Sequence, residues 1–128
     1  MTRRRHSPLA GLLALLVLLH AAAPAGSAEL VMIEQAGCHW CARWNEEIGG
    51  IYGRTEEGRR APLRRISLDK PIPREIASLR IERFTPTFIL IDGNREIGRI
   101  RGYPGADFFW GLLGQMLEKL PSNADPQS

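Results

Sequence analysis

The sequence predicts a single α/β domain: a four-stranded mixed sheet flanked by helices, with elements in the order βαβαββα. Three observations carry that expectation. The apolar runs Leu30-Val31-Met32-Ile33 and Phe88-Ile89-Leu90-Ile91 read as strands buried on both faces. Elsewhere apolar residues recur at spacings of three and four, the period of a helix with one buried stripe. The short turn Asp92-Gly93-Asn94 forces the last two strands antiparallel, whereas a βαβ unit pairs its strands parallel.

The first residues do not belong to this fold. Arg3, Arg4 and Arg5 form a basic start, residues 9–19 an apolar run of eleven, and an alanine-rich stretch ends at Gly26-Ser27-Ala28. These are the parts of a secretory signal peptide, expected over residues 1–28 and cleaved after Ala28. The run is shorter than the ~20 residues that a spanning helix needs, and an anchor retained uncleaved is the alternative. No cysteine follows the run, which excludes a lipoprotein anchor. Cleavage leaves 100 residues, enough for one small domain with a single core. That part holds 14 Lys and Arg against 14 Asp and Glu, so the formal +3 comes from the signal. Its charges are interleaved and make no case for nucleic acid. Export implies an oxidising compartment, where a disulfide persists.

The elements follow in order along residues 29–120. Residues 30–33 form the first strand. Cys41, Trp44, Ile48 and Ile51 mark the buried stripe of the first helix, which Gly49-Gly50 and Gly53 fray or end. Residues 54–60 are polar and read as loop or exposed helical extension. Pro62 introduces a second strand over 63–69, with Leu63, Ile66 and Leu68 as its apolar positions and Arg64-Arg65 riding on it. Pro71 and Pro73 precede a short helix over 74–80 with Ile76 and Leu79 inward, a proline being tolerated in a first turn. Phe84-Thr85-Pro86-Thr87 leads into the third strand, and residues 95–101 pair back after a turn whose Gly93 and Asn94 tolerate positive φ. Gly102-Tyr103-Pro104-Gly105 breaks the chain. Residues 106–120 form the clearest helix, with Phe108, Phe109, Leu112, Leu113, Met116 and Leu120 along one side. Residues 121–128 are expected to be a disordered tail.

The chemistry lies in Cys38-His39-Trp40-Cys41, which holds the only two cysteines. It follows the first strand and opens the first helix. Two thiols three residues apart can close and reopen a disulfide with little backbone movement. Helix N-termini favour an anion, so the Cys38 thiol is expected to ionise below the usual ~8.5, with His39 adding positive charge when protonated. Trp40 is expected on an apolar rim, Trp44 and Trp110 in the core or at its edge. A purely structural disulfide is the bland alternative, but so short a loop constrains the unfolded chain very little. Structural zinc wants four Cys or His ligands and the mature part supplies three, so no metal is expected. Ala42 stands where a c-type haem would need histidine, and no cofactor is implied.

The Cys38-x-x-Cys41 motif, the Thr85-Pro86 pair about 45 residues on, the hairpin and the terminal helix together resemble the thioredoxin superfamily over residues 30–120. The resemblance implies a minimal thioredoxin-like fold lacking the family's first strand and helix. By position it makes Cys38 the nucleophile, Cys41 the resolving cysteine and Pro86 the family's cis-proline. Thr85, Pro86 and Gly102 become contacts for an extended partner segment, with Trp40 beside them. Asp69 takes a capping or turn role. This chain departs from thioredoxin proper in having Gly37 before its first cysteine, and His39 and Trp40 between the two. Met32 stands where thioredoxins bury a proton-accepting aspartate, and Glu34 is the nearest acid on the strand, facing an undecided side.

The export signal and small size look most like periplasmic thioredoxins, and in particular the small ones of bacterial sulfur-oxidation clusters. The resemblance implies a monomeric periplasmic thiol–disulfide oxidoreductase acting as a reductase. Its partner would be a cysteine-containing periplasmic protein, and a membrane thiol transporter would supply the electrons. A disulfide-donating oxidase and a non-catalytic binding or chaperone module of the same fold are the alternatives.

Overall fold

Leu30, Val31, Met32 and Ile33 are all fully buried, so β1 (Ala28–Glu34) needs cover on both faces and neighbours on both edges. It has both. The computed structural model describes residues 28–121 and holds one sheet in the order β2-β1-β3-β4. β2 (Leu63–Ser67) pairs parallel with β1, Leu30 opposite Leu63. β3 (Thr87–Asp92) lies antiparallel on the other edge, Ile33 opposite Thr87, and β4 (Arg95–Arg101) pairs antiparallel with β3. The antiparallel β1–β3 pairing sets residues 84–86 beside the end of β1, where the chain turns toward the cysteines. Most of the expected signal segment and residues 122–128 of the expected tail lie outside the described residues; β1 begins at Ala28 itself.

One face of the sheet is covered by helices. α1 (His39–Trp44), a π-helical stretch Asn45–Gly49 and α2 (Gly50–Tyr52) follow one another, so the glycine pair does not end the helix; Gly53 does. The wider π turn moves the buried stripe on by one residue. Tyr52 is buried and Ile51, expected inward, is 45% exposed. The segment expected as loop or extension is a separate helix, α3 (Glu56–Arg60), because the Thr55 hydroxyl accepts the Gly58 N–H at 3.0 Å and caps it. The Tyr52 hydroxyl donates to the Ala61 carbonyl at 2.8 Å, which closes this segment onto the core.

α4 (Ala106–Leu117) stops three residues short of the expected end. Its buried stripe is Phe109, Leu113, Met116 and Leu117, so Phe109, Leu113 and Met116 face inward as expected, Leu117 joins them, and Phe108 and Leu112, expected inward, are 71% and 39% exposed. α4 crosses β4 closely: a Cβ on Gly98 would stand 2.8 Å from Met116 Sδ. Beneath these helices the rings of Trp44, Phe88 and Phe109 meet, with centroids 4.9 to 5.7 Å apart. Trp110 stacks on Tyr52 at the edge.

The opposite face is closed differently. Val31, Ile33, Ile66, Ile89 and Ile91 lie beneath Ile76 and Leu79, which come from a 3-10 turn (Arg74–Ile76) and the turns after it. The helix expected over 74–80 is reduced to this turn. Pro73 offers no side-chain acceptor for the first N–H groups, and the segment is too short to propagate without one. Ile76 and Leu79 nonetheless face inward, as the sequence predicts.

Candidate active site

The dithiol is delivered by a pinned turn. Asp69 accepts the Ala36 N–H at 2.7 Å, and the Leu68 N–H donates to the Glu34 carbonyl at 2.8 Å, tying the end of β1 to the segment after β2. Gly37 then adopts φ +73°, which a side chain rarely tolerates, and sets Cys38 at the N-cap of α1. The Cys41 N–H donates to Cys38 Sγ at 3.1 Å. The two cysteines form a disulfide with Cα atoms 5.2 Å apart. Cys38 is half-buried, whereas Cys41 is 4% exposed and packs in the helix-side core. Only one of the two sulfurs is therefore open to a partner.

A groove of about 470 Å³ opens at this point, lined among others by Glu34, Gly37, Cys38, His39, Cys41 and Asn45. A larger cavity, about 540 Å³, lies at the opposite end of the sheet by Ala28, Arg64 and Asn94 and holds neither cysteine nor histidine. The groove by the dithiol is where the chemistry is. Among the described residues no cluster of three or more His, Cys, Asp or Glu has a metal-holding arrangement.

His39 and Trp40 are exposed, edge-on to each other with ring centroids 5.3 Å apart. Arg43 lies over the Trp40 ring at 5.9 Å and donates to Glu47 at 2.8 Å. The Tyr103 hydroxyl donates to the other Glu47 oxygen, joining the dithiol helix to the chain after β4. Tyr103 and then Arg43 hold the Glu47 carboxyl below the usual carboxylate range. Burial, then the Glu47 hydrogen bond, pushes the Tyr103 phenol up.

The Thr85–Pro86 peptide bond is cis. Pro86 is buried and Thr85 half-buried. The fully buried Thr87 donates its hydroxyl to the Phe84 carbonyl at 2.6 Å, and the Gly102 N–H donates to the Pro86 carbonyl at 2.7 Å. Gly102 has φ +83°, and the Phe84 ring lies 3.4 Å from where its Cβ would be.

Glu34 shares the dithiol side of β1 with Leu30 and Met32, which decides what alternation left open. Arg65 bonds it at 2.8 Å, reaches Asn45 at 2.6 Å and sits over the Trp44 ring at 5.6 Å. Met32, where thioredoxins bury an aspartate, is fully buried.

Cys38, His39, Trp40 and Cys41 thus open the helix, Thr85 and Pro86 arrive through the β1–β3 register, and Gly102 joins them by its bond to Pro86. Three residues escaped sequence reasoning: Phe84, Glu47 and Tyr103. Phe84 stood in the run before the proline, but nothing local told that its ring stays outside. Glu47 and Tyr103 are 56 positions apart and carry no signal of their contact.

No protein-family model matches the chain, and no curated protein does. Solved structures do. The periplasmic thioredoxin SoxS from Paracoccus pantotrophus, in its reduced form, is 46% identical, with a TM-score of 0.66 over 72% of this chain and 97% of that one. A thioredoxin from Thermus thermophilus matches at 24% identity and TM-score 0.54, over 69% of this chain and 72% of its own. Thioredoxin-2 of the malaria parasite matches at 18% identity and TM-score 0.55, over 70% of this chain and 84% of its own. The last two are likenesses of fold alone.

Proposed function

We propose that this chain, which belongs to the thioredoxin family and is a thiol–disulfide oxidoreductase, works in the periplasm as a reductase that keeps the cysteine of a partner protein reduced. The observation that carries the reading is the asymmetry of the pair: a half-buried Cys38 sulfur at a helix start, backed by a buried Cys41. Support for the compartment comes from the 46% identity to a periplasmic thioredoxin.

The reduced form starts the cycle. The Cys38 thiolate attacks one sulfur of the partner's disulfide, and the partner's other sulfur leaves as thiolate. Cys41 gives up its proton and attacks Cys38 Sγ, so the partner's remaining sulfur leaves and the Cys38–Cys41 disulfide closes. Two electrons from a membrane thiol transporter reopen it. First-turn N–H groups and a protonated His39 favour the anion at Cys38. Trp40, Thr85, Pro86 and Gly102 bind the partner's extended segment. The partner class is the cysteine-bearing carrier protein of a sulfur-oxidation cluster, and the protein acts as a monomer.

Equilibration of the mature domain in graded thiol buffers, read by thiol alkylation, tests the direction. A potential near or below about −200 mV fits a reductase, and one near about −120 mV fits a disulfide donor and overturns this reading. A Cys41→Ser variant is expected to trap the partner as a mixed disulfide that mass spectrometry identifies.

A further inference from the structure

Phe84 is an exposed aromatic that the fold holds still. The residue is 49% exposed, yet one backbone contact and two ring contacts hold it. Its carbonyl accepts the hydroxyl of buried Thr87 at 2.6 Å. Its ring edge rests against Gly102. The Arg101 guanidinium stands over the ring at 5.1 Å and is itself ion-paired with Glu82 at 2.7 Å. The ring sits two residues before the cis-proline, at the end of the sheet that holds the dithiol. A large apolar surface held rigid loses little entropy on binding, which is the property of an interface anchor. Because Arg101 is already paired with Glu82, the patch offers apolar surface rather than an uncompensated charge.

We infer that Phe84 is a specificity-determining residue, the seat for an apolar side chain flanking the cysteine of the partner segment. The proposal rests on the exchange reaction proposed above and adds to it the kind of sequence around the partner's cysteine. A leucine beside that cysteine buries its side chain on the Phe84 ring when Cys38 attacks, while a glycine there leaves the ring wet.

The test uses short peptides in which one cysteine, flanked on both sides by leucine or by glycine, carries a thionitrobenzoate group in disulfide linkage. Attack by Cys38 of the reduced protein releases the coloured thiolate. The unmodified protein is expected to favour the leucine peptide over the glycine peptide by about tenfold in kcat/KM. Phe84→Ala is expected to remove that preference by slowing the leucine peptide to the rate of the glycine peptide. Phe84→Leu, which keeps an apolar side chain, is expected to retain part of the preference and guards against a folding defect in the alanine variant. Equal rates on the two peptides with the unmodified protein, or a preference that survives Phe84→Ala, overturn the proposal while leaving exchange intact. Failure to release thionitrobenzoate from any substrate overturns the exchange reading itself, and this proposal with it.

Discussion

The two faces of the sheet are closed by different means. On the helix side the cluster of buried described residues runs to fifteen and centres on Trp44, Phe88 and Phe109. On the other side it runs to seven, all aliphatic, beneath a 3-10 turn and its neighbours. Cys41 belongs to the larger cluster, so the geometry of the dithiol is set by packing that also holds α1, α2 and α4 together. The smaller cluster closes the sheet without touching the reacting atoms. A redox pair that must open and close repeatedly sits on the better-braced face.

Four comparisons test that contrast. The strongest concerns turnover: Cys38→Ser is expected to abolish thiol exchange in the thionitrobenzoate assay, whereas Ile76→Ala leaves the rate per folded molecule unchanged. Ile76→Ala still costs about 2–4 kcal/mol of stability in urea, because it empties part of the far core. An exchange rate that falls with Ile76→Ala would couple the two faces.

The same chemistry applied to each face comes next. Leu113→Ala, in the helix-side core, is expected to cost about 4–5 kcal/mol, and Leu79→Ala beneath the turn about 2–3. The short turn can settle into the space it loses, while α4 is held along its length. Equal urea midpoint shifts would show the two faces equally adaptable.

Two glycines on the helix side make a finer contrast. A Cβ on Gly58 would lie 1.8 Å from the Tyr52 carbonyl oxygen, so Gly58→Ala must displace backbone and is expected to cost about 3 kcal/mol. Gly50 has open space around it and helical φ of −71°, so Gly50→Ala is expected to stabilise by about 0.5–1 kcal/mol. Thermal melts of the two variants check both signs.

The smallest effects are those of acid. Glu47 beside α1 is held below its ordinary 4.5 by Tyr103 and Arg43, and Glu75 across the sheet by its own backbone N–H and then Arg64. A carboxyl with a depressed folded pKa stabilises the fold above its unfolded pKa, and that stability is lost as pH falls through the folded value. Glu47→Gln and Glu75→Gln are each expected to lessen the fall in Tm from about pH 5 to about pH 3. Both side chains are exposed, so the changes are small and fade with added salt.

Much of this was readable along the chain. Apolar runs marked β1 and β3, the Gly93 turn marked the hairpin, and the paired cysteines at a helix start marked the site. Structure and local sequence part company where the outcome depends on a neighbour. Ile51 gave way to Tyr52 because the π turn rotates the helix, and a periodicity template assumes it does not. In α4, Phe108 and Leu112 are as apolar as their buried neighbours Phe109 and Leu113, and the crossing of α4 over β4 at Gly98 decides which of each pair faces in.

Local sequence was enough to name which residues form strands, where the dithiol helix starts and which chemistry it carries, because those follow from properties of residues within a turn or two of each other. Tertiary structure alone decided that β3 runs antiparallel beside β1, that Glu34 faces the dithiol, that Glu47 meets Tyr103, and that Phe84 stays half in water beside Gly102. Each of these joins segments separated by loops of many residues. What selects the pairing is the summed burial of both partners, a quantity no single stretch of sequence contains.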